Sequence, residues 1–315
     1  MGNRVDRAHI DQALTAYTHQ LPVEQGMIQD FVCPILPVAK ETDKFWKFNR
    51  EELKTHQVHR ADGAPSHELQ FDYSSDTYAC EEYALSAFVT RRELDNADAE
   101  IRPKMEATEK IVRNLRIARE RRVAALVQST SNWNSYTTPS TKWDASGADP
   151  ESDVLAAKQA FFLQSGAHPN VAVINDLVRD ALIQWIRSQP GGLSLGDFRA
   201  MDRVFGNAVP GPEPALAGLF GIPNWFVGMQ LYDSGGIGAS ESLARIWGSH
   251  CTLLYVEPSP GMKKSTALYT FENRGMQVKG WEEPARDGEY VECSHIVDEK
   301  IISTYLGYHL TTCLS

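Results

Sequence analysis

Gly192 to Gly196 reads GLSLG, the G-x-S-x-G pattern that can present a nucleophilic serine. That turn needs a strand before it and a helix after it, so that the Ser194 hydroxyl stands clear at the strand's end. Here the helical text NDLVRDALIQWIRS and the breaker QPGG come first, so half the context is wrong. Ser194 reads better as the N-cap of a helix over SLGDFRAMDRVFG. Ser194→Ala should then cost about 1 kcal/mol of stability and leave no enzymatic phenotype. Labelling of Ser194 by a fluorophosphonate probe, lost in the mutant, would revive an α/β hydrolase.

The remaining chemistry is equally thin. GGIGAS, Gly235 to Ser240, fits neither a GK[ST] phosphate loop nor G-x-G-x-x-G, and reads as a mobile loop. His56 and His59 sit in a polar stretch with no third ligand beside them, so both read as solvated. Asp176 follows the short apolar run NVAVI, a place where catalytic acids occur, but Asn175 and Asp176 also make a good helix start. The five cysteines, Cys33, Cys80, Cys251, Cys293 and Cys313, are odd in number, scattered and free of CxxC, which argues for reduced thiols in a cytosolic protein. The sequence therefore offers no catalytic, metal or cofactor constellation, and the chain reads as a structural protein rather than an enzyme.

Composition narrows the class. The 315 residues suffice for two or three domains, and a hydrophobic content of 42% is that of a soluble globular chain. No apolar run approaches the ~20 residues of a membrane span, and MGNRVDRAHIDQ lacks the apolar core of a secretory signal. The net charge of -10 argues against a protein that grips nucleic acid electrostatically. Such a chain can still enclose DNA without holding it tightly.

The elements that would position any function are more telling. Ala97 to Val127 contains no glycine, and Ile101, Met105, Thr108, Val112 and Leu115 repeat at helical spacing. A helix over this segment would be roughly 45 Å long. It begins at Pro103, or begins near Ala97 and bends at that proline. Its arginines (Arg113, Arg116, Arg119, Arg121, Arg122) suit the negative end of the helix dipole and a solvated or subunit-facing surface.

Before this beam, Ala8 to Leu21 has helical spacing that Pro22 ends. FVCPILPV, Phe31 to Val38, holds two prolines that enforce extended backbone. Its apolar side chains, Phe31, Ile35, Leu36 and Val38, need another domain or another subunit to cover. Two strand-like runs follow. DKFWKFNREEL puts Trp46 and Phe48 on one face, and ELQFDYSS puts Leu69, Phe71 and Tyr73 on one face. A two-stranded ribbon is marginal alone, so its stripe needs a partner: a neighbouring subunit, or its own domain. YACEEYALSAFVTRREL reads as helical. Beyond the long helix, a polar connector leads to Asp149-Pro150, an N-cap followed by a first-turn proline. Helices and strands then alternate to about Val256 as one α/β domain. The last stretch, from Thr266 onward, reads as antiparallel strands.

This order resembles the major capsid proteins of tailed bacteriophages of the Hong Kong 97 type. FVCPILPVAKETDKFWKFNREE is similar to the arm entering the extended hairpin, the E-loop, of that family. DTYACEEYALSAFVTRRELDNADA and ATEKIVRNLRIARERRVAALV are similar to the run into and along its spine helix. NVAVINDLVRDAL, GLFGIPNWFVGMQLYD, ARIWGSHCTLLYVEP and ALYTFENRG fall where its axial domain and the return from it belong. The resemblance implies an α+β fold in five parts: an N-terminal helix and arm (1–42), the E-loop hairpin (43–78), a peripheral domain with the spine helix (79–135), an axial domain (136–257) and a return to peripheral strands (258–315).

It also implies what the chain does. Copies would assemble through hexamers and pentamers into an icosahedral shell around double-stranded DNA. Trp46, Phe48, Leu69, Phe71 and Tyr73 of the E-loop, and Phe31, Ile35, Leu36 and Val38 of the arm, would be assembly contacts. Scaffolding, portal and decoration proteins are further implied partners, with no cofactor and no membrane. The place would be the virion, assembled in the host bacterial cytoplasm. An arm that starts almost at Met1 implies a separate scaffolding protein or none. Some family members link an E-loop lysine to a peripheral asparagine. Lys44, Lys47 and Lys54, with Asn273, Glu272 and Glu282, have the matching types, which are common on any surface. An encapsulin-like nanocompartment is the alternative of the same fold, kept open by the N-terminal helix.

Overall fold

The computed structural model describes residues 9–24, 26–47, 59–60, 62, 74–97, 102–189, 214–235 and 240–315. Strand β1 (His9–Ile10) leads into helix α1 (Gln12–Gln20), which starts where the Asp11 carboxylate accepts the Leu14 N–H at 3.0 Å. Pro22 follows its last residues, as expected. FVCPILPV is not extended throughout. One helical turn, α2 (Gln29–Val32), ends just before Pro34, and only then does β2 (Ile35–Pro37) run straight. Strands β3 (Thr42–Lys47) and β4 (Ser74–Ala79) pair antiparallel from Thr42↔Ala79 to Lys47↔Ser74 and form the base of the expected hairpin.

The next segment overturns a sequence expectation. YACEEYALSAFVTRREL is a strand, β5 (Glu81–Thr90), and only its end is helical, as α3 (Arg91–Asp95) with a Thr90–Glu93 capping box. Local spacing fits both forms here. Pairing of β5 along ten positions of a later strand, from Gly288↔Thr90 to Val297↔Glu81, decides it. The long helix α4 (Pro103–Gln128) begins at Pro103 with that proline in its first turn, so it is straight-started and roughly 39 Å long. Thr108, Val112 and Leu115 face inward as predicted, and the buried stripe continues through Ile111, Arg119, Glu120, Val123, Ala124 and Val127.

Strand β6 (Ser135–Thr137) precedes α5 (Pro150–Ser165), which Asp149 caps by accepting the Ser152 N–H at 3.1 Å. Then come β7 (Val171–Asn175), buried along its whole length, and α6 (Asp176–Ser188), capped by Asn175. The order continues with α7 (Pro214–Phe220), β8 (Asn224–Gly228), β9 (Leu231–Asp233), β10 (Leu243–Arg245) and β11 (Cys251–Leu254). Two long strands, β12 (Leu268–Glu283) and β13 (Gly288–Ile301), and the short β14 (Gly307–Leu310) complete it.

Two sheets organise these elements. The peripheral sheet runs β1-β12-β13-β5, with β2 alongside β12, and α4 packs across it. Ile111, Val112 and Leu115 of the helix meet Val278, Val291 and Cys293 of the sheet there. The axial sheet runs β6-β14-β11-β7-β8. β12 and β13 lie in the first sheet, whereas β14 inserts between β6 and β11 of the second. Gly307 permits this crossing, because a Cβ there would lie 2.1 Å from the Trp133 ring.

Two histidines are buried where these strands meet the core. His309 on β14 bonds Thr252 through Nδ1 and faces His250; His295 on β13 faces Tyr83. Burial pushes both pKa values down to about 4, helped by His250 at His309 and by Arg122 and Arg119 at His295. The unfolded chain takes up these protons near pH 6.5, and the folded chain resists until about 4. Their contribution to stability is therefore complete above the unfolded value and declines as pH falls toward the folded one. Glu120 and Asp298, with raised pKa values, act in the opposite direction in acid. His309→Asn, whose amide can replace Nδ1, is expected to flatten the loss of melting temperature between pH 7 and pH 5. An unchanged slope would remove His309 from the account.

Candidate assembly surfaces and the spine junction

The arm residues do not stay free for a neighbour. Phe31 stacks on Phe226 of β8, with centroids 4.9 Å apart and planes 14° apart. Leu36 is buried with Phe45, Tyr78, Tyr269, Phe271 and Ile302, and Val38 packs against that cluster. Ile35 is half-buried on β2, whose backbone pairs with β12 at Thr270↔Ile35. Leu36 is thus a correction: it belongs to its own subunit's core. The arm found a local partner because β12 offers it a strand edge far away in sequence.

The hairpin divides at its base. Phe45 points inward, its ring 5.3 Å from Phe271, while Tyr78 stacks on Phe271 at 4.4 Å. Trp46, next along, is turned outward and is 46% exposed. Phe48, Leu69, Phe71 and Tyr73 lie outside the described residues, as do Ser194, His56 and Lys54. Lys47 pairs with Asp76 across the ribbon at 2.5 Å, and the Asn273 side chain donates to the Val38 carbonyl at 3.4 Å. Asp176 is held in an ion pair: its two oxygens accept from Arg245 at 2.8 and 3.0 Å, which holds its pKa below the usual carboxylate range.

Sequence reading missed the junction at the middle of α4. Arg119 reads in the sequence as part of a solvated or subunit-facing surface and Glu120 draws no reading, yet Arg119 is 8% exposed and Glu120 is 0% exposed. Glu120 accepts three N–H groups. Oε1 takes the Ile28 amide at 3.1 Å and the Trp247 indole at 2.6 Å, and Oε2 takes the Gln29 amide at 2.9 Å. Ile28 and Gln29 open α2, so the carboxylate meets donors that the short helix cannot satisfy itself. Burial pushes the Glu120 pKa up, against the pull of those donors.

Arg119 faces the adjoining elements. It donates to Asp30 at 2.6 Å, to Thr270 on β12 at 3.1 Å and to the Cys33 carbonyl at 3.4 Å. Arg122 forks onto Glu299 of β13 at 2.9 and 2.8 Å and lies over the Tyr83 ring of β5, 3.8 Å from its centroid. Three side chains within one helical turn therefore fasten the arm, the peripheral sheet and the axial Trp247 to a single beam. The only sequence signal was their spacing, 119, 120 and 122, beside the apolar stripe. Among the described residues no group of His, Cys, Asp and Glu is placed to hold a metal ion.

No family profile matches the chain. A major capsid protein of Pseudomonas phage JBD67 is 25% identical over 309 residues, 95% of this chain and 95% of that protein. A crystal structure of a phage-related protein from Bordetella bronchiseptica RB50 superposes with a TM-score of 0.72 at 19% identity, covering 96% of this chain and 97% of that one. The capsid of a native GTA particle superposes with a TM-score of 0.58 at 12% identity, covering 92% and 91%. The chain is thus similar along nearly its whole length to a phage major capsid protein, and it shares its fold with a solved capsid subunit.

Proposed function

We propose that the chain is a major capsid protein, a structural subunit that self-assembles into the icosahedral head of a phage. The single observation that carries this reading is its sequence likeness to a phage major capsid protein over 95% of both chains. The spine junction supports it physically, because a shell subunit must transmit load between its two domains without local unfolding. Heterologous contacts that close give hexamers and pentamers. The head encloses double-stranded DNA, and a net charge of -10 suits a wall that contains the polymer without gripping it. Scaffolding, portal and decoration proteins are its partners in the host cytoplasm, and the virion is its final place. The outward Trp46 and the E-loop side chains beyond it meet a neighbouring copy.

Expression of the full chain, followed by light scattering and negative-stain microscopy, tests this reading. Closed particles tens of nanometres wide are expected. A monodisperse monomer at high concentration, across several salt and scaffold conditions, would overturn it.

A further inference from the structure

The segment 311–315, which follows β14, is fastened to the axial sheet and to the connector before α5. Thr311 donates its N–H to the Thr137 carbonyl at 2.9 Å, and Cys313 donates its own to the Ser249 carbonyl at 2.7 Å. The Cys313 carbonyl accepts the Trp143 N–H at 2.8 Å, the Thr312 carbonyl accepts from the Lys142 ammonium, and Ser315 donates to Asp144. Between these, Thr312 donates its N–H to Nδ1 of His250 at 2.9 Å. Of these acceptors only the histidine titrates near neutral pH. Thr312 also has a φ of 46°, in the left-handed region that a β-branched residue rarely adopts. Such backbone persists only while its surroundings hold it. Held this way, the segment keeps Cys313, Leu314 and Trp143 buried.

The surroundings of His250 suit a neutral ring. With Nδ1 accepting, the ring proton sits on Nε2. A second proton would turn Nδ1 into a donor facing the Thr312 N–H. The ring is half-buried, and burial holds its pKa below the ordinary histidine value. His309 of β14 faces it with ring centroids 4.9 Å apart, its Nε2 buried without a hydrogen-bond partner and its pKa pushed down to about 4. From the connector comes the Lys142 ammonium, and the Cys251 and Cys313 thiols are kept protonated by burial. On the α4 side stands the neutral Gln128 amide, whose oxygen accepts the Gly248 N–H. The carboxylates of this neighbourhood are engaged elsewhere, Asp144 by Ser315 and Asp153 by the Trp143 indole.

We propose that His250 is a proton-released latch: in acid the segment 311–315 comes off the axial sheet while the rest of the subunit stays folded. A ring whose pKa is depressed in the latched form supports that form fully above its free value, near 6.5, and progressively less as pH falls below it. His250, the less buried ring, charges first, and its charge then opposes one on His309. Between pH 7.5 and pH 5 the open form should grow by up to roughly thirtyfold, the limit for a ring that stays neutral while latched.

Cys313 reports the opening. The full chain is treated with a dithiodipyridine probe, which reacts with thiols in acid as well as at neutral pH, and the labelled cysteines are located by peptide mass spectrometry. Each rate is divided by that of the urea-unfolded chain at the same pH. Cys313 should lose protection at pH 5, while Cys33, buried at the spine junction, keeps its own. In His250→Asn the amide oxygen can accept the Thr312 N–H without titrating, so Cys313 should stay protected at both pH values. Equal protection of Cys313 at pH 7.5 and pH 5 in the unaltered chain overturns the latch. Exposure of Cys33 together with Cys313 overturns it too, because the acid response is then general unfolding. An Asn variant that opens in acid like the parent does the same. If His250→Asn fails to fold, the comparison of Cys313 with Cys33 in the unaltered chain decides alone.

Discussion

Glu120→Ala is expected to destabilise the subunit by about 5 kcal/mol, close to the whole stability of many domains. The substitution leaves three buried donors, the Ile28 and Gln29 amides and the Trp247 indole, without an acceptor. Each orphaned buried donor costs roughly 1–3 kcal/mol. The vacated volume adds a cavity at the crossing of arm, spine and axial domain. Glu120→Gln should lie between, because its oxygen can still serve the two donors at the Oε1 position while its amide opposes the Gln29 N–H. Urea unfolding of the soluble subunit measures the series. A loss for Glu120→Ala below about 1 kcal/mol would mean that water replaces the carboxylate and that the junction does not clamp the arm.

That junction also marks where sequence reading stops. The caps were legible because they are local: Asp149 before Pro150, and Asn175 before Asp176, each bind an N–H three residues on. The spine was legible because its period is its own, and Pro103 could begin it for a reason internal to the helix. Arg119 and Glu120 were not, because a charge on a helix becomes structural only when something arrives to bury it. Here the burying parts are Ile28 to Cys33 and Trp247, about ninety and more than a hundred residues away. The β5 strand failed for the same reason. Tyr83, Ala87 and Val89 suit a helix as well as a strand until β13 supplies a ladder. The arm's Leu36 shows the reverse error, an apolar residue assigned to a neighbour when β12 was already waiting for it.

Phe71→Asp should abolish particles while leaving the subunit folded. Leu69, Phe71 and Tyr73 alternate as the apolar side of a one-sided strand, and they lie outside the described residues, beyond the paired base that ends at Lys47↔Ser74. At that base Phe45 and Tyr78 close on Phe271. If the stripe beyond it lies on a neighbouring copy, each large side chain contributes roughly 1.5–3 kcal/mol to that contact. An aspartate would instead bring an unpaired carboxylate into it. A shell repeats the penalty in every subunit, so even a moderate local cost prevents closure. Circular dichroism and thermal melting follow the subunit, and sedimentation follows the particles. Sedimenting particles in normal yield would refute the contact. A mutant that melts far below the parent would return the stripe to its own subunit's core.

The insertion of β14 between β6 and β11 has a consequence for how the subunit is made. The strand that completes the axial sheet spans Gly307–Leu310, whereas its neighbours are Ser135–Thr137 and Cys251–Leu254. During synthesis those neighbours emerge with a vacant lane between them, and nothing upstream can fill it. A nascent or prematurely terminated chain therefore holds an open seam in the domain that would meet other copies. A chain that stops before Gly307 lacks the one strand that joins β6 to β11 in this sheet.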